Sequence, residues 1–163
     1  MKCSFDPVAD AATRILILGS LPGDVSLIRG QYYGHPHNQF WALVAEATGL
    51  GLAAADYEAR LALLRSAGIG LWDVIQSAER IGSLDARIRE AKPNGLQTFI
   101  AGLPHLRLIA FNGAKASVLG RKLIAPAPGL ALVTLPSSSP AHAIGRARKQ
   151  AAWTAALRNA LEG

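Results

Sequence analysis

The sequence predicts an α/β fold: one domain with a small central parallel sheet and helices on both faces. Three observations predict it. Four short apolar runs recur along the chain, amphipathic helical patterns lie between them, and no Ser/Gly-rich linker or charge block divides the 163 residues. A chain of this length buries one substantial core, so a single domain over residues 1–163 is expected.

The strands are read at Arg14–Leu18, Gly70–Ile75, Arg107–Asn112 and Leu130–Leu135. Asn38 is placed to cap a helix through Phe40, Trp41, Val44 and Ala45 that stops at Gly49, and Asp56 to cap another through Leu61, Leu64 and Arg65 that stops at Gly68. Asn94 opens a third helix, residues 114–122 form a fourth, and residues 144–161 form the longest. If the strands are parallel, their carboxyl ends share one rim. The loop after Leu18, the turn at Trp72-Asp73, Asn112-Gly113 and Pro136-Ser137-Ser138-Ser139-Pro140 then converge there, where open α/β sheets build their sites.

Charge and composition narrow the function. The net charge of +6 is one-sided: residues 1–100 hold nine Lys/Arg against ten Asp/Glu, whereas residues 101–163 hold eight against one. That excess suits a polyanion, since each phosphate met by Lys or Arg releases condensed counterions; it also suits mere solubility. A single cysteine, Cys3, permits no internal disulfide and no four-cysteine cluster. No stretch approaches the roughly 20 apolar residues of a membrane span, and the N-terminus has no apolar signal core, so no membrane partner and a cytoplasmic location are expected.

Motifs narrow it further. Gly19-Ser20-Leu21-Pro22-Gly23 has neither the three-glycine spacing of a dinucleotide fold nor the Lys-Ser/Thr ending of a P-loop, which disfavours a nucleotide cofactor. No Gly-x-Ser-x-Gly elbow is present. His35 and His37 lack the further ligands a metal site needs, so no metal is expected. Tyr33 falls in an irregular loop at the rim, where its ring can stack on a base, while Phe40 and Trp41 read as core. Asp73 ends an apolar strand and is either a cap of the next segment or an acceptor at a pocket floor. The loop from Pro136 to Pro140 is stiff at its ends and small in its middle. Just beyond it, Arg146, Arg148 and Lys149 crowd the first turns of a helix, where the macrodipole is positive and an external phosphate would relieve the conflict.

Read together, these segments resemble the uracil-DNA glycosylase superfamily, and within it the hypoxanthine (deoxyinosine) branch. The resemblance rests on Gly19 to Gly23, Ser26-Leu27, Gln31-Tyr32-Tyr33, His35-Pro36, Asn38, Phe40-Trp41, Gly70 to Val74 and Leu135 to Pro140, nearly the full chain. It implies a compact α/β enzyme without a cofactor that flips a deaminated nucleotide out of double-stranded DNA and hydrolyses its glycosidic bond. Hypoxanthine is the implied base, with uracil and xanthine not excluded by the residues. Single strands remain open as a further substrate, and a monomer is expected.

The resemblance also assigns residues. Gly19, Ser20, Leu21, Pro22 and Gly23 would line the sugar side of the pocket, Tyr33 would stack on the base, and Asp73 would read its edge. Ser137, Ser138, Ser139 and Pro140 would pinch the DNA backbone, with Arg146, Arg148 and Lys149 on its phosphates. Many relatives carry a catalytic Asp or Asn where this chain has Leu21, so the implied catalytic residue is Asn38, whose amide oxygen would orient a water rather than deprotonate it. His142 is a candidate donor to the leaving base. Two rivals remain: a non-catalytic nucleic-acid-binding protein of the same fold, and a small hydrolase using Ser138 with His142.

Overall fold

The four apolar runs do form a parallel sheet. The computed structural model describes residues 1–162, with strands β1 (Lys2–Cys3), β2 (Ile15–Gly19), β3 (Ile69–Asp73), β4 (Ile75–Glu79), β5 (Arg89–Pro93), β6 (Leu108–Asn112) and β7 (Ala131–Leu135). The order β3-β2-β6-β7 is parallel throughout, with Gly19 beside Asp73 and Leu18 beside Phe111. Because the chain enters at β2, goes to one side for β3 and returns past it for β6 and β7, the order reverses at β2. A crevice opens at such a point.

Period-two alternation explains the two layers. Ile15 and Ile17 of β2 belong to one core and Leu16 and Leu18 to another. The first core receives α2 (Phe40–Thr48), α3 (Tyr57–Ser66) and α6 (Arg146–Glu162), whose Phe40, Leu64, Trp153 and Leu157 are fully buried. The second receives α4 (Leu96–Ala101) and α5 (Ala114–Arg121) through Leu96, Ile100 and Ala116. Helices therefore cover both faces. No helix among the described residues is long and apolar enough to cross a membrane.

Local chemistry corrects several expected boundaries. The run Gly70–Ile75 is not one strand: β3 ends at Asp73, where Val74 N donates to Gly19 O at 2.8 Å and Ile75 N to Ser20 O at 3.1 Å. The chain then turns into β4, which pairs antiparallel with β1 and β5 in a second sheet. Leu21, Ile75, Ala78 and Ile88 bury each other there as a small third core, and that burial draws the strand away. Asp56 caps α3 as expected, accepting from Ala59 N at 2.8 Å. Asn94 caps nothing, because its amide donates to Asp73 O at 2.7 Å and Ser4 Oγ at 3.1 Å. Asn38 stands one residue outside the cap position, held by Gln39, and its Oδ1 accepts from Phe40 N at 2.9 Å. A sixth helix, α1 (Asp24–Arg29), follows the glycine loop without any side-chain cap to announce it.

Candidate functional site

The strand ends enclose a cleft of about 550 Å³ lined by Gly19 to Ser26, Tyr32, Tyr33, His35, Asn38, Asp73, Ser83 to Asp85, Asn112 and Ser137 to His142. That volume suits a small organic ring system with its sugar. Segments more than a hundred residues apart in sequence share one wall.

The floor is built on Gly19. A β-carbon there would lie 2.6 Å from Asp73 Oδ1 and 3.1 Å from the Tyr33 hydroxyl, so both polar groups converge over a residue that must have no side chain. The Asp73 Oδ2 and Tyr33 hydroxyl oxygens are buried atoms with no partner in hydrogen-bond geometry among the described residues. An unpaired buried polar atom costs about 1–3 kcal/mol, and two of them facing one cleft mark a place where a ligand completes the bonding. Tyr33 also holds a left-handed backbone, φ 54°, a strain that persists only where the surroundings impose it. Its ring stacks on Phe40 with centroids 3.9 Å apart and planes at 19°, so one face is already occupied by the core.

Electrostatics set the state of this floor. Burial and the nearby Asp85 charge push the Asp73 carboxyl up to about 7, with Arg80 opposing. Burial and Asp73 raise the Tyr33 phenol, against a contrary pull from the Asn112 side chain. A carboxyl whose pKa rises from 3.8 to about 7 on folding keeps a proton that the unfolded chain has released across that window, so its contribution to stability is present at low pH and falls as pH rises toward 7. Asp73→Asn removes the charge that must be buried. The variant is expected to gain about 5 °C or more in Tm on the parent between about pH 4 and about pH 8, and a Tm difference that ignores pH would count against this picture.

Two sets of hydrogen bonds hold the glycine loop and the tyrosine loop. The Arg80 side chain is fully buried, donating to the carbonyls of Leu21 and Pro22 and, through Nε at 2.8 Å, to Gly82 O. Leu21 lines the cleft but packs its side chain with Ile75, Ala78 and Ile88, which anchors the loop. From α1, Ser26 Oγ accepts from Gly34 N at 2.9 Å and Arg29 donates to Gly34 O at 2.7 Å, fixing the turn after Tyr33. Tyr32 is core: its hydroxyl donates to Asp6 O at 2.7 Å.

The serine loop is held just as firmly. Asn112 Nδ2 donates to Ser138 Oγ and Ser138 N to Asn112 Oδ1, both at 2.9 Å, so the end of β6 clamps the loop. Gln39 N donates to Ser138 O at 3.0 Å, which ties the Asn38 segment to the same loop. Ser138 is buried and committed to Asn112 rather than His142, so the Ser–His hydrolase reading fails on its geometry. Lys149 requires a correction as well. Only 1 % exposed, it donates through Nζ to Ser139 O at 3.1 Å and anchors the loop from beneath instead of standing free for a phosphate. Arg146 and Arg148 are exposed at the start of α6 outside the cleft, Arg146 within 3.6 Å of Glu46. His142 is exposed at the cleft lip.

Comparison with known proteins fits this frame. The profile of the Uracil DNA glycosylase superfamily matches residues 6–162. The chain belongs to that superfamily. Two relatives, each named hypoxanthine DNA glycosylase, come from Methanosarcina barkeri (strain Fusaro / DSM 804) and Methanosarcina acetivorans. The first is 40% identical over 157 residues, covering 96% of this chain and 98% of the relative. The second is 41% identical over 159 residues, covering 98% and 99%. A Methanosarcina acetivorans protein whose solution NMR structure carries a uracil DNA glycosylase name superposes with a TM-score of 0.84 at 41% identity, covering 99% of each chain.

Within this superfamily member, the sequence overlooked two residues of the site, Asp85 and Arg80, which come from stretches that read locally as loop and surface charge. Asn112, beside Gly113, stands at the rim where it was expected, and only its clamp on Ser138 went unread.

Proposed function

We propose that this superfamily member is a monofunctional DNA glycosylase that extrudes a deaminated nucleotide from double-stranded DNA and hydrolyses its glycosidic bond, with hypoxanthine as the favoured base. The observation that carries the reading is the convergence of Asp73 and Tyr33 over Gly19 at the floor of a cleft of nucleoside size, where Asp73 Oδ2 and the Tyr33 hydroxyl are buried without a hydrogen-bond partner among the described residues. A lactam edge, N1–H beside O6 in hypoxanthine, offers one donor and one acceptor to such a floor. Uracil presents a similar edge, so base preference rests on the named relatives rather than on Asp73 alone.

Asn38 lines the same cleft with its Oδ1 already accepting the Phe40 N–H, which fixes the plane of the amide. The remaining lone pair on that oxygen can hold a water against the anomeric carbon. A neutral amide suffices where the sugar becomes oxocarbenium-like before water adds, since that cation captures neutral water. Ser137 to Pro140 border the cleft as a rigid loop suited to a DNA backbone, and His142 at its lip is the candidate donor to a departing base.

Duplex oligonucleotides carrying one inosine, uracil or xanthine test the reading through alkali cleavage at the abasic product. Cleavage at inosine is expected; tight binding without cleavage on any of them would favour the non-catalytic binder. The exposed Arg146 and Arg148 are assigned to phosphates, one contact each. Changing both to alanine is expected to reduce the slope of log affinity against log salt by about 2, uniformly across sequences, and an unchanged slope would remove them from the interface.

A further inference from the structure

Two carboxylates besides Asp73 line the cleft, and they differ in how they are neutralised. Asp24 is engaged by Lys2 and lies 3.9 Å from Arg80. Asp85, half-buried, accepts a hydrogen bond from Ser20 Oγ at 2.7 Å, and among the described residues no ion pair holds it. Arg80, the cation whose field reaches it, is committed to the carbonyls of Leu21, Pro22 and Gly82. An uncompensated negative charge in a cleft that receives a polyanion weakens binding. It is intelligible if a positive charge appears there during the reaction.

We propose, building on the glycosylase reading above, that Asp85 is a catalytic residue whose carboxylate stabilises the cationic deoxyribose formed as the base departs. The C1′–N bond breaks with its electron pair leaving on the base, the sugar carries the positive charge, and water adds at C1′. The proton shed by that water balances the charge carried off by the base. Asp85 forms no bond and takes no proton; its contribution is a fixed charge aimed at one that develops only in the transition state. Geometry supports the assignment. Ser20 holds the carboxylate against the glycine loop, and in that loop Leu21 brings a side chain with no charge at all. A loop from the second sheet thus carries the charge that the first loop lacks. Together with burial, the same charge pushes the Asp73 carboxyl up to about 7, which favours its proton beside the departing base.

The test is Asp85→Asn, which keeps shape and an acceptor for Ser20 while deleting the charge. Two readouts are taken on the full-length protein: the single-turnover rate of hypoxanthine release, and affinity for duplexes carrying either a cationic pyrrolidine or a neutral tetrahydrofuran in place of the nucleotide. The rate is expected to fall about 30-fold, affinity for the neutral analogue to hold or rise, and the parent's preference for the cationic analogue to shrink by a similar factor. A rate within about two-fold of the parent overturns the proposal, as does equal weakening on both analogues, the mark of a purely structural role. If the unaltered protein releases no base, the glycosylase reading falls and this step falls with it.

Discussion

Asn38→Ala is expected to slow base release by about 10³-fold or more under single-turnover conditions, while affinity for an inosine duplex stays within about three-fold. A factor of 10³ corresponds to about 4 kcal/mol of transition-state stabilisation. The side chain has a structural duty too, accepting the Phe40 N–H at the start of α2, and losing that bond costs about 1 kcal/mol of folding free energy. The two effects separate by magnitude and by readout. Thermal denaturation reports the first turn of α2, and the rate reports the water. A rate loss no larger than the stability change would accommodate would return Asn38 to the role of a helix-start residue.

Gly19→Ala is expected to reduce base release by on the order of 10²-fold, through geometry rather than through any group that reacts. The added methyl would meet Asp73 Oδ1 at 2.6 Å and the Tyr33 hydroxyl at 3.1 Å, and neither can withdraw cheaply. Asp73 is 4 % exposed on a paired strand, and Tyr33 is stacked on Phe40 with its backbone already strained. The floor therefore yields or the base is held away from it. The expected signature is a large loss of rate with far less loss of duplex affinity, since the phosphate contacts assigned to Arg146 and Arg148 lie outside the cleft. A Gly19→Ala protein with parental turnover would mean that Asp73 and Tyr33 do not meet the base.

These two predictions rest on different amounts of sequence information. Asn38 was singled out by the resemblance to the hypoxanthine branch, while its local signal was that of a helix cap before Phe40 and Trp41. Gly19 was legible as the end of an apolar strand, but the two side chains that forbid a methyl there come from positions 33 and 73. Lys149 shows the opposite failure. In sequence it belongs to a cationic cluster with Arg146 and Arg148, yet the helix turns it inward beneath Ser139, where the carbonyl compensates its burial. Asp85 gave no local signal, because a carboxylate in Gly82-Ser83-Leu84-Asp85 looks like any solvated loop residue until Ser20 is beside it.

The sequence by itself determined the α/β alternation, the parallel sheet and the rim at which its strands end, because apolar periodicity and chain direction are local properties that backbone hydrogen bonding converts directly into layers. Tertiary structure alone decided where Val74 leaves the sheet, which cations face solvent, and which carboxylates share the cleft. Those outcomes depend on desolvation and on partners far apart in sequence, as when Asp85 meets Ser20, 65 residues away, or Arg80 reaches Leu21, 59 residues away.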